Sequence, residues 1–293
     1  KFIDARKQVE GAYSLICMTA EGMIACRDPL GIRPLVMGRI GEAYVFASET
    51  VALDLVGAEY VRSVEPGELI VVTNGQLRSH RPFADARARP CIFEHVYFSR
   101  PDSIVDGNSV YSVRKQIGAQ LAIESPVDAD IVIPVPDSGT PAALGFDSIV
   151  RGTTSLKIVQ MMREAGAAEV HMRIASPPTM HSCFYGVNTP KREKLLAAQK
   201  SVDEMCAFIQ ADSLAFVSID GLYRAAGEET RHDIQPQYCD ACFTGAYPTA
   251  LTDRDGEEEP DQLTMLNERS DSAGSQRKEI PSGDLPRIKQ TAS

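Results

Sequence analysis

The sequence contains no tryptophan and only seven cysteines in 293 residues. It also has no apolar run near the roughly 18 residues that a membrane-spanning helix needs. So few cysteines exclude a disulfide-stapled scaffold, and the first residues, KFIDARKQVEGAYS, lack the apolar segment of a signal peptide. A soluble cytosolic (cytoplasmic) protein is therefore expected. Because the chain starts with Lys1 and not with methionine, a fragment or a processed product is also expected.

Positive charge is scarce as well, since 30 lysines and arginines face 40 aspartates and glutamates. The formal net charge of -10 creates no field that would attract nucleic acid or an anionic membrane, so neither is expected as a partner. An anionic substrate must therefore be held by a local site. The length and the hydrophobic content of 43% suit about two domains.

Short alternating apolar runs fill the first 75 residues and predict a β-rich sheet or sandwich. These runs are AYSLICM, GMIAC, EAYVFAS and GELIVV. Residues 75–90, GQLRSHRPFADARARP, are basic and poor in aliphatic side chains, which predicts an exposed connection with a domain boundary near residue 85. The turn RDPLGIRPL, residues 27–35, is interpreted as structural.

From residue 109 onward the pattern predicts helices alternating with strands, and hence a parallel α/β domain. A stripe of Val110, Val113, Ile117 and Leu121 marks the first helix. The remaining predictions are a buried strand at 131–136 (IVIPVP), a helix at 154–165, the strand EVHMRIAS, helix within 191–210, and a strand or buried helix start at 213–219. Residues 251–293 lack aromatic side chains and are rich in charge, which predicts a disordered tail.

The segment FDSIVRGTTS, residues 146–155, precedes the second predicted helix and suits a sugar phosphate. A carboxylate can bind ribose hydroxyls, and backbone N–H groups at a helix N-terminus can bind a phosphate. The residues assigned to this substrate-binding loop are Asp147, Ser148, Arg151, Gly152, Thr153, Thr154 and Ser155. An ordinary helix cap made by Thr153 or Thr154 explains the same spacing, so spacing alone leaves both interpretations open.

Spacing alone leaves the role of two other short motifs undecided. Cys239 and Cys242 form a CxxC pair that fits zinc, an iron–sulfur cluster, a redox pair or unremarkable cysteines. PVPDSGT, residues 134–140, is typical of a turn that ends a strand. The cysteines in apolar runs are interpreted as small buried hydrophobic residues. They are Cys17, Cys26 and Cys206.

Longer segments resemble one family, the glutamine phosphoribosylpyrophosphate amidotransferases, which catalyse the first committed step of purine biosynthesis. They are RDPLGIRPLVMG, YVFASET, PCIFEHVYFSRPDS, VPDSGTPAALG, DSIVRGTTS, RIASPPTMHSCFYGV, DSLAFVSIDGL and QYCDACFTG. The resemblance covers Gly11 to about Asp253. It implies an α/β fold class: part of an amino-terminal-nucleophile glutaminase sandwich over residues 1–85, then a partial type I phosphoribosyltransferase domain with a parallel sheet over 86–250.

The resemblance also implies ligands and partners. Members that bind a 4Fe-4S cluster are similar to this chain at Cys91, Cys183, Cys239 and Cys242, so these four are the implied cluster ligands. Ser138 and Asp147 match positions associated with magnesium. The implied substrates are phosphoribosyl pyrophosphate and ammonia or glutamine, and a homo-oligomer is expected.

The chain departs from the family in two places. The family's glutaminase domain begins with a nucleophilic cysteine that this chain starts after, so no catalytic residue is assigned and no glutamine hydrolysis is expected. Parallel strands also need a crossover of about a dozen residues or more, yet only DSGTPAALG lies between Pro136 and Phe146. A deletion of about one crossover unit near residues 145–147 is therefore expected, with Phe146 in place of the first of two adjacent acids.

Two functions follow from these patterns. The first is an amidophosphoribosyltransferase, a glycosyltransferase-type enzyme that is impaired by the two gaps. The second is a non-catalytic remnant that binds a cluster or a ribose phosphate, or joins hetero-oligomers. The junction between Gly145 and Asp147 distinguishes them, because the missing strand and loop would lie there.

Overall fold

A computed structural model describes residues 2–6, 8–83, 87–135, 139–143 and 153–251. Residues 1–249 form one compact unit and 250–293 a second. The predicted boundary near residue 85 falls inside the first unit and stays a prediction. The predicted tail lies outside the described residues from residue 252 onward. None of the helices in the described part of the chain is long and apolar enough to cross a membrane.

The first part of the chain is β-rich, as predicted. Its elements are α1 (Phe2–Arg6), β1 (Ser14–Met18), β2 (Gly22–Arg27), β3 (Val36–Ile40), β4 (Ala43–Ala47), α2 (Thr50–Leu55), β5 (Glu59–Ser63), β6 (Leu69–Thr73) and β7 (Gln76–His80). The strands form two antiparallel sheets, ordered β1-β2-β6-β7 and β4-β3-β5. Ala25 and Ile70 of one sheet share an apolar core with Met37 of the other, so the sheets pack face to face.

Strand β7 corrects one prediction, because residues 76–80 belong to a sheet edge and not to a connection. The strand pairs with β6 through a turn at Asn74 and Gly75, whose φ angles are 52° and 75°. An Asn-Gly turn with two positive φ angles is the typical two-residue hairpin connection. This hairpin signal outweighs the polar composition of the stretch, since an edge strand needs little apolar surface.

The second part alternates helices with strands. Its elements are a π-helix (Glu94–Phe98), β8 (Ile104–Val105), β9 (Asn108–Ser109), α3 (Val110–Glu124), α4 (Gly139–Ala143), α5 (Thr153–Glu164), β10 (His171–Ile174), a 3₁₀ helix (Arg192–Lys194), α6 (Leu196–Gln199), α7 (Val202–Ile209), β11 (Ser213–Phe216), α8 (Ile219–Ala225) and α9 (Ala241–Thr244). Strands β10 and β11 pair in parallel. The predicted α/β construction is therefore confirmed.

Helix α3 forms as its apolar spacing predicts. The Ser109 side chain caps it by accepting the N–H of Ser112 at 3.3 Å. The stripe residues Val110, Val113, Ile117 and Leu121 are all buried. Three of them join the apolar cluster that also contains Cys91, Cys239 and Cys242, so this helix supports the cysteine site directly.

The predicted buried strand at residues 131–136 is wrong over its described part. Residues 131–135 have no regular secondary structure, and Ile131, Val132 and Ile133 are 73%, 55% and 53% exposed. A parallel strand is stable only when neighbouring strands complete its ladder. Among the described strands β10 pairs with β11 alone, and none lies beside 131–135. Pro136 lies outside the described residues.

The structural interpretation of the turn after β2 agrees with its contacts. Arg27 is buried and donates hydrogen bonds to the carbonyl groups of Gly31, Arg33 and Val64. It also forms a two-point ion pair with Asp106, with both N–O distances at 2.9 Å. This pair joins the β-rich part of the chain to the part that carries the cysteines.

Glu68 stands at the centre of a second buried network, in the sandwich. Its carboxylate accepts hydrogen bonds from both terminal nitrogens of Arg62, from the Ser79 hydroxyl and from the N–H of Glu65, with distances of 2.6–2.8 Å. Burial by itself raises the pKa of Glu68, but these donors outweigh burial and hold the pKa below its usual value of 4.5. The carboxylate is therefore ionised and stabilising at neutral pH.

We expect Glu68→Gln to lower the free energy of unfolding by about 2 kcal/mol at pH 7, because charged hydrogen bonds are replaced by neutral ones. A lowered folded-state pKa contributes stability that is fully present above the unfolded-state pKa and is lost as pH falls through the folded value. The difference in unfolding free energy between the unaltered protein and Glu68→Gln should therefore shrink from pH 5 toward pH 3. Urea unfolding at several pH values measures it, and a gap that does not change with pH would contradict this account.

Candidate functional site

Four cysteines that are distant in sequence line one pocket. They are Cys91, Cys183, Cys239 and Cys242, and they share the pocket wall with Phe93, Tyr185, Val187, Thr189 and Ala241. Cys91, Cys239 and Cys242 are buried, and Cys183 is half-buried. The structure thus brings together all four residues that the resemblance marked as cluster ligands, in a pocket whose other walls are mostly apolar.

Main-chain hydrogen bonds fix the first two cysteines beside each other. Cys91 and Cys239 form an isolated parallel bridge. The Cys239 N–H donates to the Pro90 carbonyl at 2.9 Å, and the Ile92 N–H donates to the Cys239 carbonyl at 3.2 Å. Since backbone positions set where the Cβ atoms point, this bridge places both thiols on the same pocket.

The loop that carries Cys183 is attached to the segments of Cys91 and Cys239 through Cys242. The carbonyl of Cys242 accepts the N–H groups of Met180 and His181, both at 3.0 Å. Cys183 then follows in a loop where its own N–H donates to the Thr189 hydroxyl at 2.6 Å. Its sulfur accepts the N–H of Tyr185 at 3.4 Å. These bonds hold the half-buried thiol toward the pocket.

The electrostatics of the pocket favour protonated thiols when no cation is present. Burial raises the pKa of Cys91 and of Cys242 far above the usual thiol value, and it raises the pKa of Cys239 to about 12. The neighbouring cysteines raise these values further because thiolates repel one another. A metal group bound here must therefore displace protons from the thiols.

Within the described ranges, no group of three or more histidine, cysteine, aspartate or glutamate side chains is close enough to hold one metal ion. The other cysteines are not among the residues that line the pocket. Cys26 is buried as predicted, whereas Cys17 and Cys206 are partly exposed, so their interpretation as buried hydrophobic residues is wrong.

The predicted phosphate loop lies mostly outside the described residues. Asp147, Ser148, Arg151 and Gly152 fall there, as do Ser138 and the junction at 145–147. Thr153 and Thr154 open helix α5, and Ser155 is buried in its first turn. The helix N-terminus that the loop requires is thus present, and the substrate-binding and magnesium assignments stay predictions.

Sequence reasoning missed the polar residues that support the cysteines. Asp240 lies within the CxxC motif, is fully buried, and contacts Tyr223, Arg231 and Thr244. The sequence does show an acid inside a cysteine motif, but it does not identify the residues that this acid contacts. They come from two other parts of the fold, and only the folded chain brings them together.

The chain is similar to several known proteins. A family model described as a glutamine amidotransferase domain matches residues 2–55. Proteins named amidophosphoribosyltransferase from Rhizobium etli and Synechocystis sp. are 47% and 45% identical to the chain, over 91% and 83% of it. The chain covers 66% and 60% of those two proteins, so it spans less than two thirds of their length.

A solved structure is also similar. It is described as glutamine phosphoribosylpyrophosphate amidotransferase from B. subtilis complexed with ADP and GMP, and it matches with a TM-score of 0.80 at 40% identity. The match covers 85% of this chain and 66% of that one. The alignment with the Rhizobium etli protein extends over 326 positions, more than the 293 residues of the chain. That relative therefore has residues inside the aligned span for which this chain has no counterpart.

Gly245, directly after helix α9, provides a test of the packing behind Cys242. Its φ is 77°, and a Cβ there would lie 2.9 Å from the His181 ring, whereas Gly41 has a φ of 57° and open space around it. Gly41→Ala should cost about 1 kcal/mol of unfolding free energy for the left-handed backbone alone. Gly245→Ala should cost about 1 kcal/mol more, because the ring must move. Urea unfolding of both variants measures this, and equal losses would contradict the predicted contact.

Proposed function

Because the chain belongs to the amidophosphoribosyltransferase family, we propose that it acts in the first step of purine biosynthesis, forming 5-phosphoribosylamine from phosphoribosyl pyrophosphate. The observation that carries the proposal is identity above 40% to enzymes of that name along most of the chain. The site adds support, because helix α5 presents its N-terminus where the family resemblance puts the phosphate loop.

The chemistry assigns distinct tasks to the loop and the helix. The backbone N–H groups of Thr153, Thr154 and Ser155 would hold the 5-phosphate, and Asp147 would bind the ribose hydroxyls. Ammonia attacks C1 while the bond from C1 to pyrophosphate breaks, the electron pair leaves with pyrophosphate, and a proton is released from nitrogen. Magnesium bound near Ser138 and Asp147 would shield the charge of the leaving pyrophosphate.

The nitrogen source in this proposal is glutamine or free ammonia. The match of residues 2–55 to a glutamine amidotransferase domain supports glutamine as the family's donor. The two antiparallel sheets that pack face to face also fit the sandwich expected for such a domain. Because no glutamine hydrolysis is expected of this chain, free ammonia is the donor in the experiment below.

The four-cysteine pocket supports a resident 4Fe-4S cluster. The donor set is complete, because four thiols line one pocket and four thiolates hold such a cluster. The apolar wall of Phe93, Val187 and Ala241 would keep solvent from the cluster.

Anaerobically purified protein should be brown and contain iron and labile sulfide in equal amounts, about four of each per chain. Cys242→Ser should abolish the colour, because a serine oxygen cannot replace the buried thiolate. Cys206→Ser is the matched control and should keep it, since this sulfur donates to the Ala211 carbonyl away from the pocket. Zinc at one per chain without sulfide would overturn the proposed cluster.

We further propose that a crossover unit is missing near residues 145–147. Two observations support this. The run Ile131–Ile133 is exposed although its composition suits a buried strand, and the aligned length of the Rhizobium etli relative exceeds the chain. A missing neighbour strand explains both, because an apolar strand without a ladder partner is not retained in a sheet.

Ammonia-driven release of pyrophosphate should therefore be at least roughly 100-fold slower than in a version with the relative's intervening residues inserted between Gly145 and Asp147. The helix N-terminus should still permit weak binding of phosphoribosyl pyrophosphate, which calorimetry can detect without turnover. Equal rates in the two versions would show that the missing unit is dispensable. No release from either version would contradict the proposed synthase reaction.

A further inference from the structure

Asp240 is a fully buried carboxylate between two of the pocket cysteines. Its Oδ2 atom accepts the Arg231 Nε–H at 2.6 Å and the Tyr223 hydroxyl at 2.9 Å. Its Oδ1 atom accepts the Thr244 hydroxyl at 3.0 Å. Three side-chain donors on one carboxylate satisfy its hydrogen-bonding capacity and hold it in one orientation.

The carboxylate points away from the pocket while the residues on both sides of it face the pocket. Asp240 is not among the residues that line the cavity, whereas Cys239, Ala241 and Cys242 are. Its carbonyl oxygen accepts the N–H groups of Phe243 and Thr244, at 2.9 and 3.1 Å. The motif thus turns sharply around Asp240, and the buried carboxylate anchors that turn from behind.

The three partners come from separate elements. Tyr223 lies on helix α8, Arg231 lies in the segment between α8 and the motif, and Thr244 lies in α9. Tyr223 also packs edge-on against Tyr238, with ring centroids 5.5 Å apart. Displacement of the carboxylate would therefore loosen the turn from a rigid part of the core.

Asp240 and Arg231 also carry opposite charges that compensate each other locally. The Arg231 side chain is 15% exposed and Asp240 is 0% exposed, so solvent screens their charges poorly. Asp240 directly follows Cys239 and lies two residues before Cys242, so its side chain is close to both cysteines. Four thiolates make the pocket strongly anionic, and an uncompensated carboxylate behind them would add to that charge.

We propose that Asp240, paired with Arg231, is a positioning residue for the cluster ligands Cys239 and Cys242 and sets the net charge felt by the cluster. This inference rests on the 4Fe-4S cluster of the proposed function. Net charge near an iron–sulfur cluster shifts its reduction potential, and groups behind the ligands govern how tightly the metal is held. The positioning role of Asp240 therefore predicts an effect on how tightly iron is held, and its charge predicts an effect on the reduction potential.

The first experiment compares Asp240→Asn, Arg231→Gln and the double variant, each purified anaerobically with its cluster. Loss of the carboxylate should raise the midpoint potential, and loss of the guanidinium should lower it. The double variant should return toward the potential of the unaltered protein. A merely structural role would shift both single variants in the same direction or in neither, and either result would overturn the inference.

The second experiment measures the rate of iron release to a chelator. We expect Asp240→Asn to release iron roughly 10- to 100-fold faster than the unaltered protein. Glu68→Gln is the matched control, because it removes an equally buried, arginine-bound carboxylate from the sandwich. That control should leave iron release unchanged. If both variants release iron equally fast, general destabilisation is the cause and the inference fails.

A milder pair of variants keeps the test decisive if Asp240→Asn does not fold. Tyr223→Phe removes one hydrogen bond to the carboxylate, whereas Tyr238→Phe removes a hydroxyl that bonds to the Ala226 carbonyl. Iron release should be several-fold faster in the first and unchanged in the second. Identical rates in a protein that carries the cluster would contradict this inference alone. An unaltered protein without iron and sulfide would contradict the proposed cluster, and the inference with it.

Discussion

Main-chain hydrogen bonds among three distant segments hold the cysteine pocket together. The bridge between Cys91 and Cys239 joins the first segment to the last, and the Cys242 carbonyl binds the middle segment through Met180 and His181. Backbone bonds are short and directional, so they fix Cβ positions more firmly than side-chain packing alone. The relative positions of the four cysteines, the burial of the thiols and their raised pKa values all depend on this arrangement.

The β-rich part of the chain supports the same pocket. The N–H of Cys91 donates to the Ile32 carbonyl at 3.0 Å, and the N–H of Arg89 donates to the Leu30 carbonyl at 2.8 Å. Ion pairs from the buried Arg27 to the partly exposed Asp106, and from the partly exposed Arg33 to the buried Glu94, reinforce this contact. Removing one partner of a buried pair leaves a desolvated charge, so the two parts of the chain depend on each other for stability.

The described residues nearest the proposed substrate site form little sheet. The parallel sheet of the described residues contains only β10 and β11, and the apolar run at 131–135 lies outside it. A phosphoribosyltransferase site needs a loop held at the end of a central strand, and a central strand needs neighbours on both sides. The four pocket cysteines converge through main-chain hydrogen bonds between their segments.

The sequence by itself determined the β-rich start, helix α3 with its buried stripe, the parallel α/β pattern and the four candidate cysteines. The first three depend on local periodicity, whereas the set of four cysteines is implied by the family resemblance of the surrounding segments. Only the tertiary structure decided that residues 131–133 are exposed and that Asp240 meets Arg231 and Tyr223 behind the pocket. Those outcomes depend on which distant segments are available as hydrogen-bonding and packing partners, and local sequence does not contain that information.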